Sequence, residues 1–250
     1  MKVSALIEHL NGLLKPEEFR DYAPNGLQVE GRGEVRRIVL GVTASLGLIE
    51  AAAERKADMV LVHHGWFWRG EDPRLVGMKG RRVRALLSAG MNLAAYHLPL
   101  DAHPEFGNNA ELARLLGLTV EARAGELGLL HLGSLIGGPV RVADFADQVE
   151  RVLGRRPLVL GPREKKVSRI AWCSGAAQDE LLEAASLGAD LYLSGEVSER
   201  TTFEAVESGV TYFAAGHTAT EQFGIQALGR HLAQTFPELT VEYVAEENPV

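Results

Sequence analysis

Two adjacent histidines mark the end of an apolar segment in this chain of 250 residues. His63 and His64 follow the run Met59-Val60-Leu61-Val62, and Gly65 comes directly after them. Neighbouring residues of a β-strand face opposite sides, so both imidazoles reach one site only if the strand ends there, and glycine permits that turn. We therefore predict that the pair binds two metal ions, or opposite sides of one small cluster. The alternative is a strand end in which both histidines have only structural partners.

A histidine followed four residues later by a carboxylate occurs twice. His97 precedes Asp101, and His217 precedes Glu221. If a strand ends at each histidine and a helix or turn follows, four residues bring the two side chains together. Imidazole and carboxylate together suit Zn, Fe, Mn, Co or Ni. In the structural alternatives, Asp101 braces the loop that follows it, and Glu221 completes a capping box with Thr218.

Together these residues form a predicted ligand set of His63, His64, Asp101, His217 and Glu221. Five such ligands exceed the three protein ligands that are typical of a catalytic zinc. Carboxylates that bridge would hold two ions ~3.5–4 Å apart, an arrangement used for hydrolysis. We therefore predict two divalent metal ions per chain, of unassigned identity.

Two further residues are candidates for catalysis. His97 and Glu196 are predicted to move protons, because imidazole titrates near neutral pH and a carboxylate beside a metal can accept a proton from water. Alternatively, Glu196 is an outer hydrogen-bond acceptor, or it caps a helix that begins near Ser198.

The elements that must position these residues alternate between strands and helices. Strands are predicted at 37–42, 58–63 and 92–96, and helices at 48–56, 81–89 and 109–116. This alternation indicates βαβ units and a mostly parallel sheet, and ligands of such α/β sheets bind at the carboxyl ends of the strands.

The pattern then repeats, which predicts an internal duplication. "RRIVLGVTAS" and "ADMVLVHHG" in the first half match "SRIAWCSGAA" and "ADLYLSGE" in the second. This places Asp58 on Asp190 and, with one residue of slack, His97 on His217. The predicted halves are residues 1–120 and 167–250, joined by a segment 121–166 that carries one strand and one helix. The sequence therefore predicts two similar α/β halves.

Composition excludes several other functions. The chain has 33 acidic and 26 basic residues, a net charge of −7, which argues against a nucleic-acid partner. A single cysteine, Cys173, excludes an internal disulfide and is typical of a protein from a reducing compartment. We expect Cys173 to be buried in the core. No apolar run approaches the ~20 residues of a membrane-spanning helix, so a cytoplasmic location and no membrane partner are predicted. Walker and G-x-S-x-G motifs are absent from the sequence.

An aromatic triplet, Trp66-Phe67-Trp68, directly follows the histidine pair. One interpretation is that it stacks on a planar base at the mouth of the site. The other is that it forms a hydrophobic lid or a subunit contact. His103, in the loop after Asp101, is a weaker candidate for lining the same pocket.

Five segments of the sequence resemble the dinuclear-metal proteins of the NGG-interacting-factor-three-like family, whose members are often labelled type 2 homologues of GTP cyclohydrolase I. They are "DYAPNGLQVEG", "LVHHGWFW", "AAYHLPLD…GNNAELARLLGL", "SGEVSE" and "AAGHTATEQFGIQAL". The resemblance implies two α/β halves facing a metal pair, ligands at the five positions given above, and a homohexameric ring. Where many relatives have Gly-Asp followed by a lysine and a histidine, this chain has Gly195-Glu196-Val197-Ser198-Glu199-Arg200.

These observations lead to a main hypothesis and two rivals. The main one is a dinuclear metal-dependent hydrolase, in which activated water attacks a small-molecule substrate of purine-nucleotide type, GTP being the candidate that the resemblance implies. The first rival is a non-enzymatic ring that stores metal or a scaffold whose ions are structural. The second, nucleic-acid handling, is disfavoured by the net charge.

Overall fold

The computed structural model describes residues 1–125 and 127–250, and Glu126, in the predicted connecting segment, lies outside the described residues. The chain divides into two compact units. The first comprises Met1–Phe106 and Gly224–Glu247, and the second comprises Gly107–Phe223 and Asn248–Val250.

The first unit is built on a five-stranded sheet. In chain order its elements are α1 (Val3–Leu14), β1 (Gly26–Val29), β2 (Arg37–Thr43), α2 (Leu46–Glu54), β3 (Met59–His64), α3 (Gly77–Ser88), β4 (Asn92–Ala95), α4 (Leu98–Ala102) and β13 (Thr240–Tyr243). The strand order is β1-β4-β3-β2-β13, with β13, β2, β3 and β4 parallel and β1 antiparallel to β4. The sheet therefore places the ends of β3 and β4 side by side.

Both faces of this sheet are covered, which explains its nearly continuous apolar strands. Met59 and Leu61 belong to a core that includes α1, whereas Val60 and Val62 belong to a second core that includes α2 and α3. The alternation follows from the two-residue period of a strand.

The second unit contains a mixed six-stranded sheet. Its elements are α5 (Asn108–Leu116), β5 (Ala122–Ala124), β6 (Leu130–Ser134), β7 (Val140–Arg141), α6 (Val142–Leu153), β8 (Leu158–Leu160), β9 (Lys166–Val167), β10 (Arg169–Trp172), α7 (Leu181–Ser186), β11 (Leu191–Ser194), α8 (Thr201–Ser208), β12 (Thr211–Ala214) and the first part of α9 (His217–Thr235). The order is β5-β6-β10-β11-β12-β8, and β10, β11 and β12 are parallel. Cys173, directly after β10, is buried as predicted.

The α/β class and the alternating elements are confirmed, whereas the content of the connecting segment differs from the prediction. The described residues of the segment 121–166 hold four whole strands, β5 to β8, together with α6 and the first residue of β9. Three of these strands have only two or three residues, too few for an alternating pattern to show in the sequence. The predicted boundaries of the repeat stay a prediction, since compact units and repeats need not coincide.

The same hydrogen bonds recur inside each unit. Asp58 accepts the backbone N–H groups of Arg36 and Arg37, and Asp190 accepts those of Ser168 and Arg169. This recurrence supports the predicted duplication and places Asp58 on Asp190, as the sequence does.

The recurrence extends to a helix in each unit. The N–H of Val3 donates to Gly33, and the N–H of Val142 donates to Lys165, at the first residue of α1 and of α6 respectively. The four positions that α1 buries match four of the buried positions of α6, which buries Ala146 as well. They are Val3, Leu6, Leu10 and Leu14 in α1 and Val142, Phe145, Val149 and Leu153 in α6. This similarity between α1 and α6 lies within the predicted connection, ahead of the predicted second half.

The membrane prediction can be checked on the helices. Across the described residues, every helix is too short or too polar to cross a bilayer.

Candidate metal centre

The end of β3 carries the histidine pair, as predicted. His63 is fully buried and His64 partly exposed, and their ring centroids are 4.5 Å apart. Nδ1 of His63 lies 3.0 Å from the carbonyl oxygen of Tyr96. Since a carbonyl only accepts, Nδ1 is the protonated donor, and the lone pair of a neutral His63 is therefore on Nε2.

Asp101 lies beside that nitrogen. It belongs to α4, which begins directly after His97 at the end of the neighbouring β4, and it is almost fully buried. Its Oδ1 is 3.5 Å from Nε2 of His63. A buried carboxylate beside an imidazole lone pair is a donor set for a divalent transition metal.

His97 has a carboxylate partner of its own. Its Nδ1–H donates to Asp21 at 2.7 Å, and its backbone N–H donates to the side chain of Asn25. Asp21 also accepts from the backbone of Leu98 and the side chain of Asn25. Burial by itself would raise the pKa of Asp21, but the hydrogen bond and charge of His97, with the bonds from Asn25 and Leu98, lower it to about 2.

His97 also lies close to the histidine pair. His63, His64 and His97 each offer one ring nitrogen as a ligand atom, and these three nitrogens all lie within 4.8 Å of one another. The first unit thus brings together four of the predicted residues, the fourth being Asp101.

The second unit holds the other His and carboxylate pair at the end of β12. His217 is the first residue of α9 and Glu221 follows one turn later, so their side chains share a helix face. Nε2 of His217 is 3.0 Å from Oε2 of Glu221, and Nδ1 of His217 is 2.7 Å from Oε1 of Glu196. Glu196 follows β11, the neighbouring strand. One imidazole therefore bridges two carboxylates.

This arrangement raises the pKa of His217. Burial by itself would lower it, but the hydrogen bond and charge of Glu221, followed by those of Glu196, raise the pKa of His217 to about 9. A cation, whether a proton or a metal ion, is what these two carboxylates favour at this position.

A glycine lies directly against the second pair. Gly175 has a positive φ of 69°, and a Cβ built on it would be 2.1 Å from Oε1 of Glu221. Its backbone N–H donates to Thr220, and its carbonyl accepts from Gly195 and Glu196. Gly175 thereby links the loop after β10 to the residues that carry Glu196 and Glu221.

The structural alternatives for the two glutamates find less support. The N–H of Thr218 donates to the carbonyl of Val250, and Glu221 instead contacts His217. The helix after Glu196 begins at Thr201 rather than near Ser198, because the hydroxyl of Thr201 accepts the N–H of Ser198 and turns the chain there. The side chain of Glu196 instead accepts the Nδ1–H of His217.

The aromatic triplet divides between two roles. Trp66 is a core residue that is 4% exposed and donates its indole N–H to Ala44. Trp68 instead meets the rings of His64 and His97 edge-on, with centroid distances of 5.8 and 5.0 Å. His103 packs its ring on Phe106 and accepts two backbone N–H groups.

Comparison with known proteins decides the family. A family model for Duf34/NIF3 (NGG1p interacting factor 3) matches residues 1–249. The chain belongs to the DUF34/NIF3 family. The resemblance found in the sequence is thus confirmed over the whole chain.

Relatives of this DUF34/NIF3 protein extend over its full length. A protein of Allochromatium vinosum named "GTP cyclohydrolase 1 type 2 homolog" is 52% identical over 248 residues, covering 99% of this chain and 97% of the relative. A solved structure described as protein ybgI, of unknown function, has a TM-score of 0.95 at 46% identity, with 100% of both chains covered. A structure from Thermus thermophilus has a TM-score of 0.90 at 34% identity, again over 100% of both chains.

Some functional candidates of this DUF34/NIF3 chain were not identified from its sequence. The sequence alone assigns no role to Asp21, Asn25 or Gly175, although the segment "DYAPNG" contains the first two. The polar residues and the glycine of this segment are the only signal in the sequence that could have marked Asp21 and Asn25. Gly175, in "CSGAA", is one of 27 glycines and carries no local mark of its contact with Glu221.

Proposed function

We propose that this DUF34/NIF3 protein is a hydrolase that depends on a pair of divalent metal ions, held by His63, His64, Asp101, His217 and Glu221. Its substrate is a small molecule of purine-nucleotide type. The name carried by its relatives supports a GTP cyclohydrolase-like reaction. A cytoplasmic location, and the hexameric ring that the family resemblance implies, are part of this proposal.

One observation carries the proposal. In each unit a histidine has its Nδ1 fixed by an oxygen acceptor and its Nε2 beside a carboxylate: Tyr96 and Asp101 serve His63, and Glu196 and Glu221 serve His217. Metal-binding histidines characteristically donate the N–H of their other ring nitrogen to a carboxylate or carbonyl oxygen, which fixes the tautomer and the ring direction. A histidine at an ordinary strand end has no need for such an arrangement, and here it recurs.

When bound, divalent ions of this kind supply Lewis acidity to water and to a substrate oxygen. The chain's own residues then position and move protons. Asp21 holds the Nδ1–H of His97, so Nε2 of His97 is the atom that exchanges a proton with substrate or water. Glu196 is held by His217, which favours a positioning role for it. The edge of Trp68 beside His64 and His97 gives a planar base an aromatic neighbour.

Metal content and turnover together test the proposal. We expect about two divalent transition-metal ions per reconstituted chain by elemental analysis. The variant Asp101→Ala/Glu221→Ala should lose both the ions and hydrolysis of GTP or a related nucleotide, by at least about 100-fold. The control Asp72→Ala/Glu199→Ala removes two exposed carboxylates and should retain both. Full metal content without turnover on any nucleotide would instead support a non-enzymatic metal-binding ring, and unchanged turnover in the first variant would overturn the ligand assignment.

A single variant tests the positioning role of Glu196. Glu196→Ala removes the acceptor of the Nδ1–H of His217, so the affinity for a divalent ion should fall about 10- to 100-fold. Competition with a chelating indicator dye measures that affinity. Glu199→Ala, an exposed carboxylate three residues further on, should leave the affinity within about twofold. Equal affinities in the two variants would contradict the role.

A further inference from the structure

A cavity in the second unit, away from the histidines, has a strongly basic lining. It has a volume of about 640 Å³ and lies between the start of α6, strand β8 and the turn before β9. Its charged lining residues are Arg141, Arg156, Arg163, Lys165, Lys166 and one carboxylate, Glu164. Five cations against one anion are unusual in a chain whose net charge is −7.

Two of these cations already form hydrogen bonds with carboxylates. Arg141 makes a two-bond contact with Asp144, and Arg156 bonds Asp147 and Glu150. These pairs lie on the surface and hold the two guanidinium groups in place at the rim of the cavity.

Of the other three cations, Lys165 interacts with the charge of Asp190, whereas Arg163 and Lys166 remain available to a ligand. Within residues 1–125 and 127–250, Arg163, Lys165 and Lys166 make no salt bridge. Arg163 donates from Nη2 to the carbonyl of Val159, and Lys165 donates to that of Gly209. A guanidinium has five N–H donors and an ammonium three, so each has further donors to offer. Groups of this kind bind phosphoryl oxygens through charge-assisted hydrogen bonds.

The same place in the first unit shows that the fold does not require these charges. There the N–H of Val3 donates to Gly33, as that of Val142 donates to Lys165. A cavity of about 580 Å³ at that position is lined by one cation, Lys2, and two carboxylates, Glu8 and Glu30. One backbone arrangement thus carries a basic lining in one unit and an acidic lining in the other. The basic lining consequently needs an explanation other than stability.

The remaining wall of the basic cavity is apolar. Val142 and Ala146 are buried side chains of α6, and Leu158 of the edge strand β8 is 50% exposed. Cations on one side and an exposed aliphatic side chain on the other suit a ligand with two chemically different parts.

We propose that this cavity binds a phosphorylated small molecule, with its phosphoryl group on Arg163 and Lys166 and an apolar part against Leu158. The site is independent of the proposed hydrolase, because none of its residues is a candidate metal ligand. Its ligand is recognised by a dianionic phosphoryl group next to a compact ring or aliphatic group.

Phenylphosphonate is a suitable probe because it has both parts and cannot be hydrolysed. Calorimetry with metal-loaded protein at low ionic strength should give a dissociation constant below about 1 mM, at least about 10-fold tighter than for inorganic phosphate. Arg163→Gln/Lys166→Gln should weaken phenylphosphonate binding by about 10-fold or more, since two charged hydrogen bonds are lost. Arg81→Gln/Arg84→Gln, which removes two exposed arginines of α3, should change it by less than about twofold.

Other outcomes separate the cavity from the metal centre. In Asp101→Ala/Glu221→Ala, phenylphosphonate binding should persist, and hydrolase activity has no bearing on it. Binding that survives Arg163→Gln/Lys166→Gln but disappears in Asp101→Ala/Glu221→Ala would place the anion at the metal centre and overturn the proposal. A wild-type dissociation constant above about 10 mM would also overturn it.

Discussion

Gly175→Ala should abolish metal binding by the second unit's pair while leaving the protein folded. The new Cβ would lie 2.1 Å from Oε1 of Glu221 and 3.3 Å from Nε2 of His217, so the carboxylate must move away from the imidazole. The positive φ of Gly175 adds a backbone cost of about 1–2 kcal/mol. Elemental analysis after reconstitution should show the loss of at least one ion per chain, and remaining ions should bind at least about 10-fold more weakly.

Gly188→Ala is a matched control for the backbone cost. Gly188 has a φ of 80°, close to that of Gly175, but a Cβ there would meet nothing within 4 Å. Both variants should therefore lose stability equal to the backbone cost in chemical denaturation, and Gly175→Ala should lose more, because Glu221 is also displaced from His217. Only Gly175→Ala should lose metal. Full metal content in Gly175→Ala would mean that Glu221 is not a ligand, or that its position is not critical.

Asp21→Asn should destabilise the protein by about 2 kcal/mol at neutral pH. The fall in the pKa of Asp21 from 3.8 to about 2 on folding corresponds to roughly that free energy, and the side chain is almost fully buried. Because the folded pKa is the lower one, this stabilisation is complete above the unfolded pKa and is lost as the pH falls from about 5 towards 2. Urea denaturation of wild type and variant between pH 7 and pH 3 measures the difference, which should shrink on acidification.

The control for Asp21 is an exposed aspartate. Asp72 also has a lowered pKa, because the side chain of Arg74 donates to it, but it lies on the surface, where such pairs contribute little. Asp72→Asn should leave stability nearly unchanged at every pH. A pH-independent difference between wild type and Asp21→Asn would show that the carboxylate acts through packing rather than through its charge.

Much of the candidate centre could be predicted because strand ends are a local property of sequence. His63, His64 and His217 each follow a short apolar run, and parallel strands end at one edge. Glu221 follows His217 at helix spacing, so that contact was predictable too. Asp101 has the same spacing from His97, yet in the first unit it lies beside His63. The reason is that His97 precedes α4, whereas His217 is the first residue of α9.

The contacts that sequence reasoning missed join distant parts of the chain. Asp21 meets His97 across 76 positions, from a loop with no helical or strand period. The equivalence of α1 and α6 was hidden for a different reason. Four buried positions match, but residue types differ, as with Leu6 and Phe145, because a core preserves apolar character more strictly than identity.

The path of the chain through the two sheets has a consequence for synthesis on the ribosome. Strand β13 pairs with β2, joining Thr240 to Arg37, so the sheet of the first unit lacks its last strand until almost the whole chain has been made. Every strand of the second sheet is complete by Ala214. Domains emerging from the ribosome generally fold from the N-terminus onward. Here the sheet whose strands are made first is completed last, and the second unit can complete its sheet while β2 still has an open edge.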